Sequence, residues 1–457
     1  MDRNDGNTRV ESPGMKVFMI SLGCDKNLAD SEEMLGILRE AGFVLTDDLK
    51  EADACAVNTC GFIKDAKEES ITTICDLLPY KTQGKLRYIL VTGCLAERYF
   101  ADFSTEFPEV DAILGTNAYD KIAEALLTLS RQEKREVYAF RRDFQTLCKT
   151  DAKRVLSSPV CYAYLKIAEG CNKHCTYCAI PSMRGGYRSV PMEKLVEEAR
   201  CLASQGIKEL ILVAQETTIY GVDLYGEKRL AALLHALSEI DGILRLRVMY
   251  CYPEEIDDAL IGEIRSNPKV CHYLDLPIQH ASDRILKRMG RRCDQEMLRS
   301  LIAKLRKEIP DICLRTTMIV GFPGETQEDM RELIDFVDDM EFDRLGAFTY
   351  SPEEDTPAAS YPDQIDEEEK EIRYADVMEL QQAVSADISK RFIGNLMEVM
   401  VDGYLPEEDV YAGRSFRDAL DVDGLVFFTS DRNLYAGDMV SVRILDAKAY
   451  DLIGEML

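Results

Sequence analysis

No apolar run in this 457-residue chain approaches the ~18 residues a helix needs to span a bilayer, so no membrane segment is expected. Residues 1–14 are polar and mixed in charge, and are expected to form a disordered leader rather than a signal peptide. Positive charge is scarce: 55 Lys and Arg stand against 82 Asp and Glu, a formal net charge of −27. Such a balance argues against a general binder of phosphate backbones, though it leaves room for a local basic patch. Tryptophan is absent, and no internal repeat or low-complexity segment is present beyond the acidic run 366–369. Fifteen cysteines are too sparse and too irregularly spaced for a disulfide scaffold. Six of them fall in loops after predicted strands, which points to a reducing, cytoplasmic setting and to metal or redox chemistry.

What is present is a long alternation of short apolar runs with helical stretches, the mark of α/β domains with parallel sheets. The length suggests about three domains at ~150 residues each. The first, residues 15–131, is expected to be an open parallel sheet with strands at 17–22, 52–57, 88–91 and 112–114. A helix over 31–41, capped at Asp30 or Ser31, and another over 118–130 complete it. Residues 132–156 are charged and irregular and read as a linker. Six strand–helix units follow within 157–393, with strands at 162–167, 209–214, 244–250, 273–276, 314–320 and 345–350. That count predicts a partial (β/α)6 barrel with its chemistry in the loops at the strand carboxyl ends. A long acidic helix over 366–393 leads to residues 394–457, where five short β-rich runs predict a small OB-like β-barrel.

The loop Cys171-Asn-Lys-His-Cys-Thr-Tyr-Cys178 directly follows the first strand of the six-unit series. Thiolates spaced CxxxCxxC can occupy three corners of an iron–sulfur cube and leave the fourth iron open to another ligand. The same loop could belong to a zinc site with His174 or a distant cysteine, or hold merely buried thiols. Cys24, Cys60 and Cys94 each fall just past one of the first three strands, where ligands bind open α/β sheets. The helix N-termini that follow would offer N–H groups to an anionic cluster. Cys55 and Cys75 lie inside a strand and a helix and read as core.

Together the CxxxCxxC loop with Tyr177, the three strand-end cysteines and the terminal barrel resemble the methylthiotransferase branch of the radical S-adenosylmethionine (SAM) enzymes. SLGCDKNLADSE, CNKHCTYCAIPSMRGGYRS and GRSFRDALDVDG are most similar to the RimO family. Asp25, Leu420 and Asp355 depart from it, standing where proline, proline and glycine are usual; the first would loosen the loop carrying Cys24. The resemblance implies two [4Fe–4S] clusters. One, on Cys171, Cys175 and Cys178, would bind and cleave SAM; the other, on Cys24, Cys60 and Cys94, would carry the transferred sulfur. It further implies that Gln215 and Glu216 bind the SAM amino group, that Gly321 lies on the adenine-contacting strand, and that the terminal domain is a TRAM barrel. The target would be the β-carbon of an aspartate in ribosomal protein twelve of the small subunit, with a low-potential donor such as flavodoxin or ferredoxin. An unactivated C–H bond has no proton a side-chain base can remove, so such a step falls to a cofactor.

Other residues carry less. Arg184 and Arg188 could hold a carboxylate of substrate or SAM, or simply pair on the surface. Gln279 and His280 sit at a strand end, and His235 reads as structural. Two other functions compete: a tRNA adenosine methylthiotransferase, and a zinc-stabilised nucleic-acid-binding protein. Residues 394–457 hold thirteen Asp and Glu against five Lys and Arg. An acidic barrel repels tRNA and attracts a basic protein, so no direct tRNA substrate is expected.

Overall fold

The computed structural model describes residues 14–132, 136–157 and 161–457. It divides into two compact units: the residues up to Ser157 together with Ser182–Arg184, and the remainder. The leader expected over residues 1–14 lies almost wholly outside the described residues.

The first unit is built on a six-stranded parallel sheet of β1 (Lys16–Ser21), β2 (Val44–Leu45), β3 (Ala54–Thr59), β4 (Tyr88–Gly93), β5 (Ala112–Leu114) and β6 (Tyr138–Phe140). Its order is β2-β1-β3-β4-β5-β6. Alternate side chains feed two cores. Val17, Ala54, Ala56 and Leu90 pack with Met34, Leu38 and Leu126 on one face. Cys55, Val57, Ile89 and Val91 pack with Ile74 and Phe103 on the other. Burial on both faces is why these strands read as continuous apolar runs. The segment expected as a linker contributes β6, which pairs with β5.

Helix α1 spans Asp25–Glu40, six residues longer at its start than the sequence pattern suggests, with Cys24 at its N-cap. Asp30 and Ser31 are therefore no cap but buried helix residues. Asp25 at the first helical position accepts from the Lys26 backbone N–H at 2.8 Å and ion-pairs with the Lys26 ammonium. Proline suits that position by its fixed φ, and an acidic residue suits it by its charge at the positive helix end, so the departure at Asp25 leaves the helix start intact. Glu32 and Glu33, also buried, receive Arg154 at 2.5 Å and the Thr150 N–H at 2.7 Å. Cys75, expected in the core, is exposed.

In the second unit six parallel strands follow in order: β7 (Tyr162–Lys166), then β10 (Glu209–Val213), β11 (Arg245–Val248), β12 (Tyr273–Gln279), β13 (Cys313–Val320) and β14 (Arg344–Thr349). A two-stranded ribbon of β8 (Ala168–Glu169) and β9 (Arg188–Ser189) flanks the loop after β7. The six form two three-stranded sheets, β7-β10-β11 and β12-β13-β14, linked by the bridge Leu246–Val270 and by the Cys251 N–H on the Asp275 carbonyl at 2.9 Å. This is the expected partial barrel. Left-handed backbone at Tyr250, Gln279 and Gly321 gathers at its strand carboxyl ends. Such strained positions collect where the chain is shaped for a ligand.

The helix Glu367–Lys390, capped by the Asp366 side chain, leads to a closed five-stranded barrel. Its strands are β15 (Leu396–Leu405), β16 (Val410–Arg414), β17 (Val426–Thr429), β18 (Met439–Ala447) and β19 (Leu452–Met456). The segment after β16 lies across the amino ends of the parallel strands. Arg245 and Arg247, on β11, donate to the carbonyls of Arg414 at 2.6 Å and Phe416 at 2.8 Å. Arg344, the first residue of β14, pairs with Asp418 at 2.6 Å, and the Tyr273 hydroxyl, at the start of β12, donates to Asp423 at 2.7 Å. The GRSFRDALDVDG stretch is thus a plug in the floor of the larger barrel.

Candidate active site

In the first unit the loops after β1, β3 and β4 carry Cys24, Cys60 and Cys94. Close approach of these loops depends on two glycines. A Cβ on Gly23 would stand 2.7 Å from the Cys60 Cβ, and one on Gly61 would stand 2.8 Å from the Leu95 backbone beside Cys94. The thiols are near enough to act on one another electrostatically. Burial pushes Cys94 up to about 11, with Cys24 and Cys60 adding to the rise and Arg184 opposing it. Burial likewise raises Cys60, with a further contribution from Cys24. The burial that raises Cys60 and Cys94 favours their protonated thiols, so metal uptake there would release protons.

Arg184 belongs to this unit and is 2 % exposed. Its Nε donates to Cys94 Sγ at 3.3 Å, one terminal nitrogen pairs with Asp30 at 2.9 Å, and the other donates to Asn27 Oδ1. It is therefore committed within the protein, and the expectation that it binds a carboxylate of substrate or SAM is corrected. The buried residue Asn27 was not singled out from sequence, and Asp30 only as a helix cap. The available signal was a helix start, DKNLADSEE, with polar residues on every face.

In the second unit the Cys171–Cys178 loop follows β8. The Lys173 N–H lies 3.4 Å from Cys171 Sγ, and the Cys178 N–H donates to the Cys175 carbonyl at 3.0 Å. Thr176 ties the loop down, its N–H on the Met289 carbonyl at 2.9 Å and its hydroxyl on that of Arg288 at 2.8 Å. Burial raises Cys171, with Cys175 adding, and pushes Cys178 up to about 12, with Cys175 and Cys171 adding. Tyr252 places its hydroxyl 3.8 Å from Cys175 Sγ, and its ring lies between Lys173 and Arg291, 4.8 and 4.3 Å from the centroid. No three His, Cys, Asp or Glu side chains among the described residues converge tightly enough for a single metal ion. A cube spreads its thiolates over separate irons, so its ligands stand farther apart.

The radical SAM superfamily matches residues 165–337, the uncharacterized protein family UPF0004 matches 16–115, and the TRAM domain matches 393–457. A protein of Lachnoclostridium phytofermentans named "Ribosomal protein uS12 methylthiotransferase RimO" is 55 % identical over 96 % of this chain and 99 % of its own length. Proteins of the same name from Geobacter sulfurreducens and Clostridioides difficile are 49 % and 48 % identical, each over 97 % of this chain and 98 % and 99 % of their own lengths. The chain belongs to the RimO family. Among solved structures, the radical SAM methyltransferase TsrM of Kitasatospora setae, with cobalamin and a [4Fe–4S] cluster bound, aligns at a TM-score of 0.53. The match has 15 % identity and covers 75 % of this chain and 74 % of that one, a likeness of fold.

Around the loop, this RimO-family chain keeps polar groups that the fold itself does not satisfy. Glu216 is fully buried, and its Oε2 and the Gln279 Oε1 have no hydrogen-bond partner. Burial pushes the Glu216 carboxyl up to about 7 against the opposing pull of Thr218 and Lys173, whose ammonium stands 3.4 Å away. Gln215 is engaged at both ends, donating to Glu169 at 2.8 Å and accepting from the Gly170 N–H at 2.9 Å. Of the two, Glu216 is the better placed to receive an ammonium, while Gln215 braces the start of the cysteine loop. Gly321 lies just past β13 rather than on it, its N–H on Glu325 at 3.0 Å, with the Lys370 stem where a Cβ would go. His280 is buried, accepting from the Ser282 N–H at 2.9 Å with its Nε2 3.4 Å from Glu325; His235 is exposed on its helix. The donor sets fit two sulfur-ligated clusters and an aminoacyl cofactor. Among the described residues, no helix is long and apolar enough to cross a membrane.

Proposed function

We propose that this chain adds a methylthio group to the β-carbon of an aspartate in ribosomal protein uS12. In this reading Cys171, Cys175 and Cys178 hold one [4Fe–4S] cluster, and Cys24, Cys60 and Cys94 hold the other. The observation that carries it is the 55 % identity, over 96 % of the chain, to a protein named for that activity. When bound, the clusters and SAM supply the reducing and radical chemistry that opens an unactivated C–H bond, and the sulfur.

The chain's own residues bind and orient. The loop pinned through Thr176 leaves one corner of its cluster without a protein ligand. Glu216, buried beside Lys173 and Thr218, receives the cofactor ammonium. Gln279 offers its side-chain carbonyl oxygen at the end of β12. The barrel formed by residues 394–457 meets the substrate from its acidic outer surface. Two of its five cations, Arg414 and Arg417, and two of its thirteen acids, Asp418 and Asp423, are taken up in the plug, which leaves Arg432, Arg443 and Lys448 exposed against eleven acids. That balance supports a basic protein substrate over tRNA. A low-potential donor such as flavodoxin or ferredoxin in the cytoplasm completes the scheme.

Mass spectrometry of uS12 from a strain lacking this gene tests the reading. The protein should lose the mass of a methylthio group in place of hydrogen, and regain it on complementation. Unchanged uS12 with loss of methylthio-adenosine from tRNA would establish the tRNA-modifying alternative instead.

A further inference from the structure

The guanidinium of Arg184 is buried beside three thiols, and its placement is over-determined. Asp30 takes one nitrogen at 2.9 Å, and Asn27 Oδ1 takes another. Asn27 cannot turn its amide round, because its Nδ2 donates to the carbonyls of Leu22 at 2.9 Å and Thr59 at 3.0 Å. Those two carbonyls belong to the loops that lead into Cys24 and Cys60. Asn58 fixes the same helix turn, donating to the Asn27 carbonyl at 2.8 Å and to Ser31 Oγ at 3.0 Å. The Thr116 hydroxyl donates to the Met183 carbonyl at 2.7 Å and holds the arginine's own segment. The third face of the guanidinium, Nε, is left pointing at Cys94 Sγ, 3.3 Å away.

A salt bridge with Asp30 alone would need none of this. An arginine kept only for packing would have no reason to aim an N–H at a sulfur. One-electron reduction of a cluster held by three thiolates adds a negative charge. A buried cation and an N–H···S bond favour the more negative state, and the burial of Arg184 and Cys94 keeps solvent from screening that pair. Partners of this kind around a metal's ligands tune the metal as well as orient the ligands.

We propose that Arg184 is a positioning residue that raises the reduction potential of the cluster on Cys24, Cys60 and Cys94, with Asp30 setting how much of its charge that cluster feels. The proposal rests on the cluster assignment above. It predicts opposite signs for two neighbouring substitutions. Arg184→Met removes both the charge and the donor, and Asp30→Asn removes the counter-charge and leaves the arginine.

The test uses full-length protein carrying Cys171→Ala, Cys175→Ala and Cys178→Ala, reconstituted with iron and sulfide, so that any remaining cluster is the N-terminal one. Redox titration followed by electron paramagnetic resonance should place Arg184→Met at a more negative midpoint than its parent and Asp30→Asn at a more positive one. Arg184→Lys should fall between parent and Arg184→Met. Equal midpoints in all four proteins at matched iron content would overturn the proposal, as would shifts of the same sign in Arg184→Met and Asp30→Asn. Should Arg184→Met fail to hold iron, Asp30→Asn and Arg184→Lys carry the test alone. If the parent holds no iron, the cluster assignment itself is wrong and this proposal falls with it.

Discussion

Arg414 and Glu209 meet 2.6 Å apart, and neither side chain reaches solvent. Arg247 takes the other carboxylate oxygen at 2.9 Å. Burial would raise the Glu209 carboxyl, but Arg414, Arg247 and Arg245 together outweigh it and hold the group down at about 2. A carboxylate depressed in the fold contributes stability that is present above its unfolded value of ~4.3 and is lost as pH falls toward the folded one. Glu209→Gln should therefore cost about 3 kcal/mol near neutral pH, because it strips the buried Arg247 of its carboxylate and leaves Arg414 with Asp402 alone. The gap between wild type and variant should narrow below pH ~4. Urea midpoints at neutral pH and in mild acid check both statements.

The two triads should separate by function. Alanine at Cys24, Cys60 and Cys94 should leave reductive formation of 5′-deoxyadenosine and abolish methylthio product. Alanine at Cys171, Cys175 and Cys178 should abolish both. Wild-type protein reconstituted without oxygen should hold roughly eight irons per chain and each triple variant roughly half. Methylthio product from a folded N-terminal variant would rule out its cluster as the sulfur source.

Gly61→Ala should act on one cluster only. The added Cβ meets Leu95 backbone at 2.8 Å and the Cys94 carbonyl carbon at 2.9 Å, atoms that cannot swing aside. The loops of Cys60 and Cys94 should part, and iron content should fall by about half, while 5′-deoxyadenosine formation persists. Iron assay beside product analysis reads both.

Asp355 is exposed and sits at a φ of 63°, in the left-handed region. That conformation is why glycine is usual there. Asp355→Gly should raise stability by up to about 1 kcal/mol, the strain relieved exceeding the added freedom of the unfolded chain. Thermal melts of the two proteins decide it.

Encounter with uS12 should be salt-sensitive. With three exposed cations against eleven acids outside the plug of the terminal barrel, the association rate of the full chain should fall steeply as ionic strength rises. Stopped-flow mixing at low and high salt measures it; a flat response would assign recognition to apolar contacts.

Much of this was legible because the chemistry is written at strand ends. Each cysteine of both triads follows an apolar run, and the runs at 162–167, 209–214 and 314–320 mark real strands. The helix start at Asp25 was not legible, since Lys26, Asn27, Asp30 and Glu33 are buried by partners distant in sequence. Thr150 and Lys149, which reach Glu33, sit in a stretch whose charge reads as solvated linker. Strand β6 is three residues long, too short to show a period. Nor does the sequence reveal that the arginines of GRSFRDALDVDG serve as floor rather than surface, because ion pairing across so long a separation leaves no local pattern.

The plug also limits what can be exchanged between relatives. Arg414, Arg417, Asp418 and Asp423 are matched to Glu209, Asp343, Arg344 and Tyr273 as a lock to its wards. A chimaera that takes its last sixty-odd residues from another member inherits a working joint only if both halves of this set travel together. The outer wall of the small barrel is free of that constraint: Tyr404, Tyr435 and Arg432 face water there, and closure of the floor does not depend on them.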